Sequence, residues 1–207
     1  MPMGFNEALL LVEACLCAAF VFVAWKLDKD RLHVLIVLFL ILIAMTGGKI
    51  VTYFGHDTNT GNLFYASICL ATYFLIERWG RREGIRSVGI GVVAVIFFTL
   101  FLQITVAFEG VAATATFTDA LDTLFATAPR LALASLVAYA ASQSFNVFFY
   151  AYLKRRMAGR YLWLRATLAN AGTQAIDSML FFSIAFGGLV VSADIADIIL
   201  TGYAIKV

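Results

Sequence analysis

The sequence predicts an all-α fold: a polytopic membrane helix bundle of six transmembrane helices. Hydrophobic residues make up 62% of the 207-residue chain and charged residues 14%, and the mean hydropathy of +0.91 exceeds what a soluble domain of this size tolerates. Six apolar segments are long enough to cross a hydrocarbon layer about 30 Å thick as helices, and they lack the alternation typical of barrel strands. These segments are residues 6–25, 33–54, 63–79, 87–108, 130–152 and 165–187.

The connecting loops alternate in charge along the chain. The basic residues are Lys26, Lys29 and Arg31 in loop one, Arg78, Arg81, Arg82 and Arg86 in loop three, and Lys154, Arg155, Arg156, Arg160 and Arg165 in loop five. Loop two, residues 55–61, contains no lysine or arginine, and loops four and six contain aspartates instead. Because basic loops stay in the cytoplasm, we expect a multi-pass protein of the inner (plasma) membrane. Its N-terminus should be outside and its basic loops cytoplasmic.

Loop four, residues 109–129, is predicted to contain a short amphipathic helix. Thr116 followed by Asp119 resembles a capping box, and apolar residues recur at helical spacing from Phe117 to Phe125. Such a helix would lie on the outer membrane surface, either packed at the interface or as a lid over a binding site.

The sequence after the sixth apolar segment is shorter than a membrane span. After Gly187 and Gly188 an apolar run resumes over residues 195–207, which are too few to cross the bilayer as a helix. We therefore expect either an interfacial segment or part of a seventh helix. Residues 1–207 are expected to form a single integral membrane domain.

The fifth and sixth predicted helices share a short polar signature, which reads Ser142-Gln143-Ser144-Phe145-Asn146 in the fifth and Thr173-Gln174-Ala175-Ile176-Asp177 in the sixth. Residues three apart share a helix face, and a rise of about 1.5 Å per residue from the basic loop places both signatures near the middle of the bilayer. Polar groups are costly at that depth unless they face one another or a wet cavity. We therefore predict that the amide and carboxylate members of the signatures form a substrate-binding site. They are Gln143, Asn146, Gln174 and Asp177.

Further residues of the predicted helices have both a site interpretation and a structural one. Glu13, midway along the first helix, has either a substrate or proton role or a structural hydrogen bond. Lys49 follows two glycines near the outer end of the second helix, and its ammonium either belongs to the site or snorkels to the headgroups. Glu77, near the inner face, either belongs to the site or forms an ion pair at the membrane interface. The ring of Phe145 either packs between helices or stacks on a flat ligand.

Short motifs are spread along most of the chain. They are Gly61-Asn62-Leu63-Phe64-Tyr65, Leu70-Ala71-Thr72 with Glu77 and Trp79-Gly80, Pro129-Arg130-Leu131-Ala132 leading to Ser142-Gln143, Leu162-Trp163-Leu164-Arg165, and Gln174 with Asp177. In order and spacing these motifs resemble the vitamin uptake, or queuosine precursor, transporter family. The resemblance implies uptake of 7-deazapurine bases, namely 7-cyano-7-deazaguanine and its aminomethyl relative, across the inner membrane.

Two positions depart from the pattern that this family usually shows. Where the family has an aspartate before the motif glutamate, this chain has Tyr73, which joins the candidate binding residues. Where the family has an aspartate three residues after the glutamine, this chain has Asn146. Asparagine keeps an acceptor but loses the charge, and tyrosine replaces a compact anion with a bulky phenol. The remaining carboxylate and amides suit a guanine-like edge, which offers N–H donors and a carbonyl.

Other functional classes are excluded or left as alternatives. The sequence contains no metalloprotease motif, nucleophile elbow or acidic metal cluster. We therefore predict a transporter and not an enzyme, with no cofactor and no nucleic-acid partner. The expected partners are a small purine-like molecule and the lipid bilayer, and a homodimer is left open. The alternative is a substrate-binding membrane subunit for a vitamin-like ligand, which would need an energising ATPase because the chain contains no nucleotide-binding loop.

Overall fold

The computed structural model of the protein describes residues 4–47, 49–53, 56–125 and 129–186. In this part of the chain the helices are α1 (Phe5–Leu27), α2 (Lys29–Thr46), α3 (Gly61–Trp79), α4 (Arg81–Val106), α5 (Ala115–Phe125), α6 (Pro129–Arg156) and α7 (Leu162–Phe186). An antiparallel hairpin of β1 (Ile50–Tyr53) and β2 (His56–Asn59) connects α2 to α3, and a 3₁₀ turn (Ala112–Thr114) precedes α5. The predicted all-α fold is confirmed apart from this small hairpin. The predicted C-terminal segment, residues 195–207, lies outside the described residues.

Each of the six predicted membrane segments overlaps one long helix, namely α1, α2, α3, α4, α6 or α7. Among the described residues, α1 and α4 are the two helices long and apolar enough to cross a membrane by length and composition alone. Only 17% of the most apolar stretch of α1 and 11% of that of α4 is buried in the bundle. Most of their apolar surface therefore faces outward, where lipid would cover it. Polar residues lower the apolar content of α3, α6 and α7. That six helices span the membrane therefore stays a prediction.

The second helix is shorter than predicted. We expected it to extend over residues 33–54, but α2 ends at Thr46 and the chain continues into β1. Gly47 and Gly48 favour helix termination because glycine loses more conformational freedom than other residues in a helix. The β-branched residues that follow favour a strand. Lys49 consequently lies between α2 and β1, where it is exposed, and not inside a helix.

The amphipathic helix predicted in loop four is present as α5. It begins at Ala115, directly after the 3₁₀ turn. Thr116 therefore lies inside the helix, and the predicted capping box is wrong because the 3₁₀ turn supplies the first turn instead. Gln103 of α4 donates a hydrogen bond to the carbonyl oxygen of Phe125 over 2.8 Å. This bond attaches the end of α5 to α4.

Two turns at one end of the bundle are a single residue long. Asp28 separates α1 from α2, and its carboxylate accepts a hydrogen bond from the backbone N–H of Arg31 over 2.9 Å, which caps α2. The same N–H group lowers the pKa of Asp28 below its usual value. Gly80 separates α3 from α4 with a φ of 89°, a left-handed conformation that favours glycine. An ion pair of 3.0 Å between Lys29 and Glu83 joins the two turns.

The fifth loop lies at this end of the bundle as well. Lys154, close to the end of α6, donates hydrogen bonds to the carbonyl oxygens of Ile76 over 3.1 Å and Glu77 over 3.0 Å, near the end of α3. The three basic loops therefore share one end of the bundle, as the alternation of charge along the sequence predicts.

Helix α3 is the centre of the bundle, because it packs on α1, α2, α4, α6 and α7. One buried apolar cluster joins α3 to α1 and α2 and contains Leu32 and Leu75. A second cluster joins α3 to α4, α6 and α7 and contains Val147 and Tyr150. Helices α6 and α7 pack most extensively on each other, as expected of neighbours joined by a short loop. This second cluster surrounds the polar side chains of the two signatures.

Candidate substrate site

Polar side chains recur at helical intervals on α3, α6 and α7. Intervals of three or four residues place side chains on one face of a helix, and hydrogen bonds place the three polar faces against one another. The faces contain Tyr65, Cys69, Tyr73 and Glu77 on α3; Ser142, Gln143, Asn146, Tyr150 and Lys154 on α6; and Arg165, Thr173, Gln174 and Asp177 on α7. Their contacts form three successive levels along the bundle.

The first level joins Tyr65, Ser142 and Asp177. The hydroxyl oxygens of Tyr65 and Ser142 are 2.9 Å apart, and Ser142 Oγ donates to Asp177 Oδ1 over a longer distance of 3.5 Å. Ser142 is completely buried, whereas the other two side chains are partly exposed. Because a carboxylate only accepts hydrogen bonds, this level presents an acceptor that neighbouring hydroxyl groups support.

The second level is a continuous chain of four hydrogen-bonded side chains. The Tyr73 hydroxyl donates to Asn146 Oδ1 over 3.1 Å, and Asn146 Nδ2 donates to Gln143 Oε1 over 3.2 Å. Gln143 Nε2 lies 3.6 Å from Cys69 Sγ. All four side chains are buried. The two positions that depart from the usual family pattern, Tyr73 and Asn146, are therefore hydrogen-bonded to each other.

The third level is an ion cluster centred on Glu77, at the end of the bundle where the basic loops lie. Glu77 Oε1 accepts a hydrogen bond from the Tyr150 hydroxyl over 2.8 Å and lies 3.0 Å from Arg165 Nη1. Glu77 Oε2 lies 3.2 Å from Lys154 Nζ. The Arg165 side chain is only 1% exposed. Its charge therefore depends on Glu77 for compensation, because solvent cannot supply it.

Aromatic stacking connects the second level to the third. The rings of Tyr73 and Tyr150 are stacked with their centroids 4.3 Å apart and their planes within 16° of each other. The guanidinium carbon of Arg165 lies 5.4 Å from the centroid of the Tyr150 ring. The hydrogen-bonded amides and the ion cluster therefore share one aromatic wall.

The α7 signature contributes in two different ways. Thr173 Oγ1 donates to the carbonyl oxygen of Ala169 in its own helix over 2.6 Å, so this hydroxyl serves α7 itself. Gln174 is 5% exposed and lies one turn from Asn170 and one turn from Ser178. In the described part of the chain, Asn170 Oδ1 and Ser178 Oγ are buried without a hydrogen-bond partner. Unpaired buried polar atoms are costly, and a bound molecule or water on this face would satisfy them.

Three predicted candidates lie outside the hydrogen-bonded levels. Glu13 is on α1, where it is partly exposed, and Lys49 is exposed beside β1. The ring of Phe145 stacks on Phe149 at 5.1 Å and covers Gly172, where an added Cβ would come within 2.8 Å of it. Phe145 thus packs between α6 and α7, and the site roles of all three residues stay predictions.

Tyr65, Cys69 and Tyr150 belong to these levels although neither signature contains them. On α3, Tyr65, Tyr73 and Glu77 are spaced by multiples of four residues, and this spacing indicates one polar face of the helix. Cys69 is missed for a different reason, since buried lone cysteines usually behave as small apolar residues.

Comparison with known proteins assigns the chain to a family. The sequence model of the family described as "Putative vitamin uptake transporter" matches residues 59–207, a range that contains all three levels. A protein of Bacillus subtilis (strain 168) named "Probable queuosine precursor transporter" is 33% identical over 159 residues, which are 76% of this chain and 69% of that protein. No solved structure matches the chain significantly. The chain therefore belongs to the vitamin uptake transporter family, and it is a membrane transporter and not an enzyme.

Proposed function

We propose that this transporter takes up a queuosine precursor, 7-cyano-7-deazaguanine or 7-aminomethyl-7-deazaguanine, or a similar purine-like base. The name of the Bacillus subtilis relative supports this substrate class. The observation that carries the proposal is the position of Asp177, a carboxylate supported by Ser142 on the facing helix and adjoining the buried amide chain that contains Gln143. Acceptor and amide groups of this kind, buried between α3, α6 and α7, suit a flat molecule that has both donors and acceptors on one edge.

The proposed contacts with the base come from residues of the first two levels and from Gln174. Asp177 accepts hydrogen bonds from N–H groups of the base, the amides of Gln143 and Gln174 complete the edge, and Asn146 belongs to the site by supporting Gln143. Burial strengthens such bonds because water does not compete for them. Since Ser142, Gln143 and Asn146 are almost completely buried, the helices have to separate for the base to enter, and transport includes a conformational step.

The proposal includes six membrane-spanning helices, namely α1, α2, α3, α4, α6 and α7, with the N-terminus outside. The shared position of the three basic loops at one end of the bundle supports it, because basic loops are retained in the cytoplasm. The ion cluster around Glu77 then lies near the cytoplasmic surface, and the β1–β2 hairpin lies at the outer surface.

Cysteine labelling of intact cells tests this orientation. In a background without Cys15, Cys17 and Cys69, we expect Asn59→Cys to react with a membrane-impermeant maleimide because the hairpin is outside. Arg156→Cys should react only after the membrane is permeabilised. Labelling of Arg156→Cys in intact cells together with protection of Asn59→Cys would reverse the proposed topology.

Scavenging of queuosine tests the substrate. A bacterial strain that cannot synthesise queuosine precursors should incorporate queuosine into its transfer RNA when it expresses this protein and receives 7-cyano-7-deazaguanine. The same strain without the protein sets the background, and immunoblotting of membranes verifies expression. Transfer RNA without queuosine, despite protein in the membrane, would show that the substrate assignment is wrong. Uptake by the purified protein alone in liposomes would contradict the alternative that needs an ATPase.

A further inference from the structure

The hydroxyl of Tyr73 sets the direction of the hydrogen bonds at the second level. It has one proton to donate, and it lies 3.1 Å from Asn146 Oδ1 and 3.4 Å from the carbonyl oxygen of Ala166. The ring is 4% exposed and stacked on Tyr150, so the hydroxyl is held in place. The shorter distance selects the amide oxygen of Asn146 as the acceptor.

With its oxygen engaged, Asn146 presents its amide nitrogen to Gln143. Asn146 Nδ2 donates to Gln143 Oε1 over 3.2 Å, and Asn146 is completely buried. A carboxamide has its acceptor and its donors on opposite sides, so the amide nitrogen of Gln143 points away from Asn146 and toward Cys69. The direction of the Tyr73 hydrogen bond is thus transmitted through two amides to the donor group of Gln143.

The amide nitrogen of Gln143 has a weak partner in this arrangement. It lies 3.6 Å from Cys69 Sγ, and a thiol sulfur is a poor acceptor. A ligand oxygen could replace this contact at little cost. Ser142 Oγ donates to Asp177 Oδ1 over 3.5 Å, and Ser142 directly precedes Gln143 on α6. The Gln143 donor and the Asp177 acceptor therefore both lie next to Ser142, where one ligand edge can reach both.

On the basis of the proposed function, we propose that Tyr73 makes the site selective for a carbonyl group on the base. Acting through Asn146, it holds the N–H group of Gln143 toward the ligand. A 6-oxo group accepts this hydrogen bond, while the ring N–H and the 2-amino group donate to Asp177. In a base with an amino group in place of the oxygen, this amino group would face the Gln143 donor, and the ring nitrogen, which has no proton in that base, would face Asp177. Tyr73 is a positioning residue, because it acts on the ligand through Asn146 and Gln143.

The test compares two bases on the purified full-length protein in detergent. They are 7-cyano-7-deazaguanine and its 2,6-diamino counterpart, in which an amino group replaces the 6-oxo group, and calorimetry gives a dissociation constant for each. We expect the wild-type protein to bind the oxo base at least about 100-fold more tightly, because the diamino base loses its contacts with both Gln143 and Asp177. Tyr73→Phe keeps the ring but removes the orienting proton, so the amides can turn toward the amino group. The preference should then fall roughly 10-fold, while the part that is due to Asp177 remains.

Two further variants separate this role from general packing. Tyr139→Phe removes the hydroxyl of another buried tyrosine, on α6, and should keep the wild-type preference between the bases. Asn146→Leu interrupts the same chain one step nearer the ligand, so it should lower the preference as Tyr73→Phe does. The double variant should lower it no further, because the two residues act as one unit. Asn146→Leu also provides the test if melting curves show that Tyr73→Phe does not fold.

The possible outcomes distinguish this inference from the proposed function. An unchanged preference for the oxo base in Tyr73→Phe would contradict the role of Tyr73 and leave the proposed function intact. A wild-type preference for the diamino base would mean that the amides are oriented the other way, which also overturns the inference. If the wild-type protein bound neither base, the proposed function would fail together with it.

Discussion

Asp177→Asn is expected to lose ligand binding and uptake while it keeps the wild-type melting temperature. Asp177 is the one ionisable member of the two signatures, since its counterpart on α6 is Asn146. Hydrogen bonds to a charged acceptor contribute roughly 1.5–3 kcal/mol each, and the proposed base donates two of them. Asparagine has the same shape and can still accept the bond from Ser142, so the packing of α6 against α7 is unchanged.

Calorimetry and a melting curve on the same purified variant give both quantities. Asp119→Asn is the matched control because Asp119 is exposed on α5, and it should bind the base like the wild-type protein. Gln143→Ala and Gln174→Ala should weaken binding by about 1–3 kcal/mol each. A lower melting temperature of Asp177→Asn with unchanged affinity would mean that Asp177 only attaches α6 to α7.

Glu77→Gln is expected to cause a large loss of stability. The substitution keeps an acceptor for the Tyr150 hydroxyl but removes the charge that lies 3.0 Å from Arg165 and 3.2 Å from Lys154. Since Arg165 is 1% exposed, its charge would remain buried beside a second cation. Removing one partner of a buried ion pair costs about 3–5 kcal/mol, which corresponds to a fall in melting temperature of roughly 10 °C for a chain of this length.

Thermal denaturation in detergent, followed by tryptophan fluorescence, measures this loss. Glu83→Gln is the matched control: Glu83 lies near Lys29, Arg86 and the buried His33, but the two partners with a permanent charge are 36% exposed in Lys29 and 57% exposed in Arg86. Solvent can compensate both charges, so this variant should lose at most about 1 kcal/mol. Equal melting temperatures for the two variants would mean that the Glu77 cluster does not hold α3, α6 and α7 together.

Composition and charge pattern determined the class of the fold. The apolar content required helices that satisfy their own backbone groups in lipid, and a long helix overlaps each of the six predicted segments. The alternation of charge predicted that the three basic loops lie at one end of the bundle. There Lys29 contacts α4 and Lys154 contacts α3. Helix ends were less predictable. The apolar run of the second segment continues past Thr46, but α2 ends there, with Gly47 as the C-cap.

The sequence also determined that α6 and α7 have polar groups at similar depth, because spacing along a helix converts directly into distance. It did not determine that α3 completes the site. Tyr73 and Asn146 are separated by 73 positions in the chain, and Glu77 of α3 lies 3.0 Å from Arg165 of α7. Local sequence fixes which side chains share a helix face, but the rotation of each helix about its axis depends on packing against all its neighbours. Only the assembled bundle decides which polar faces meet.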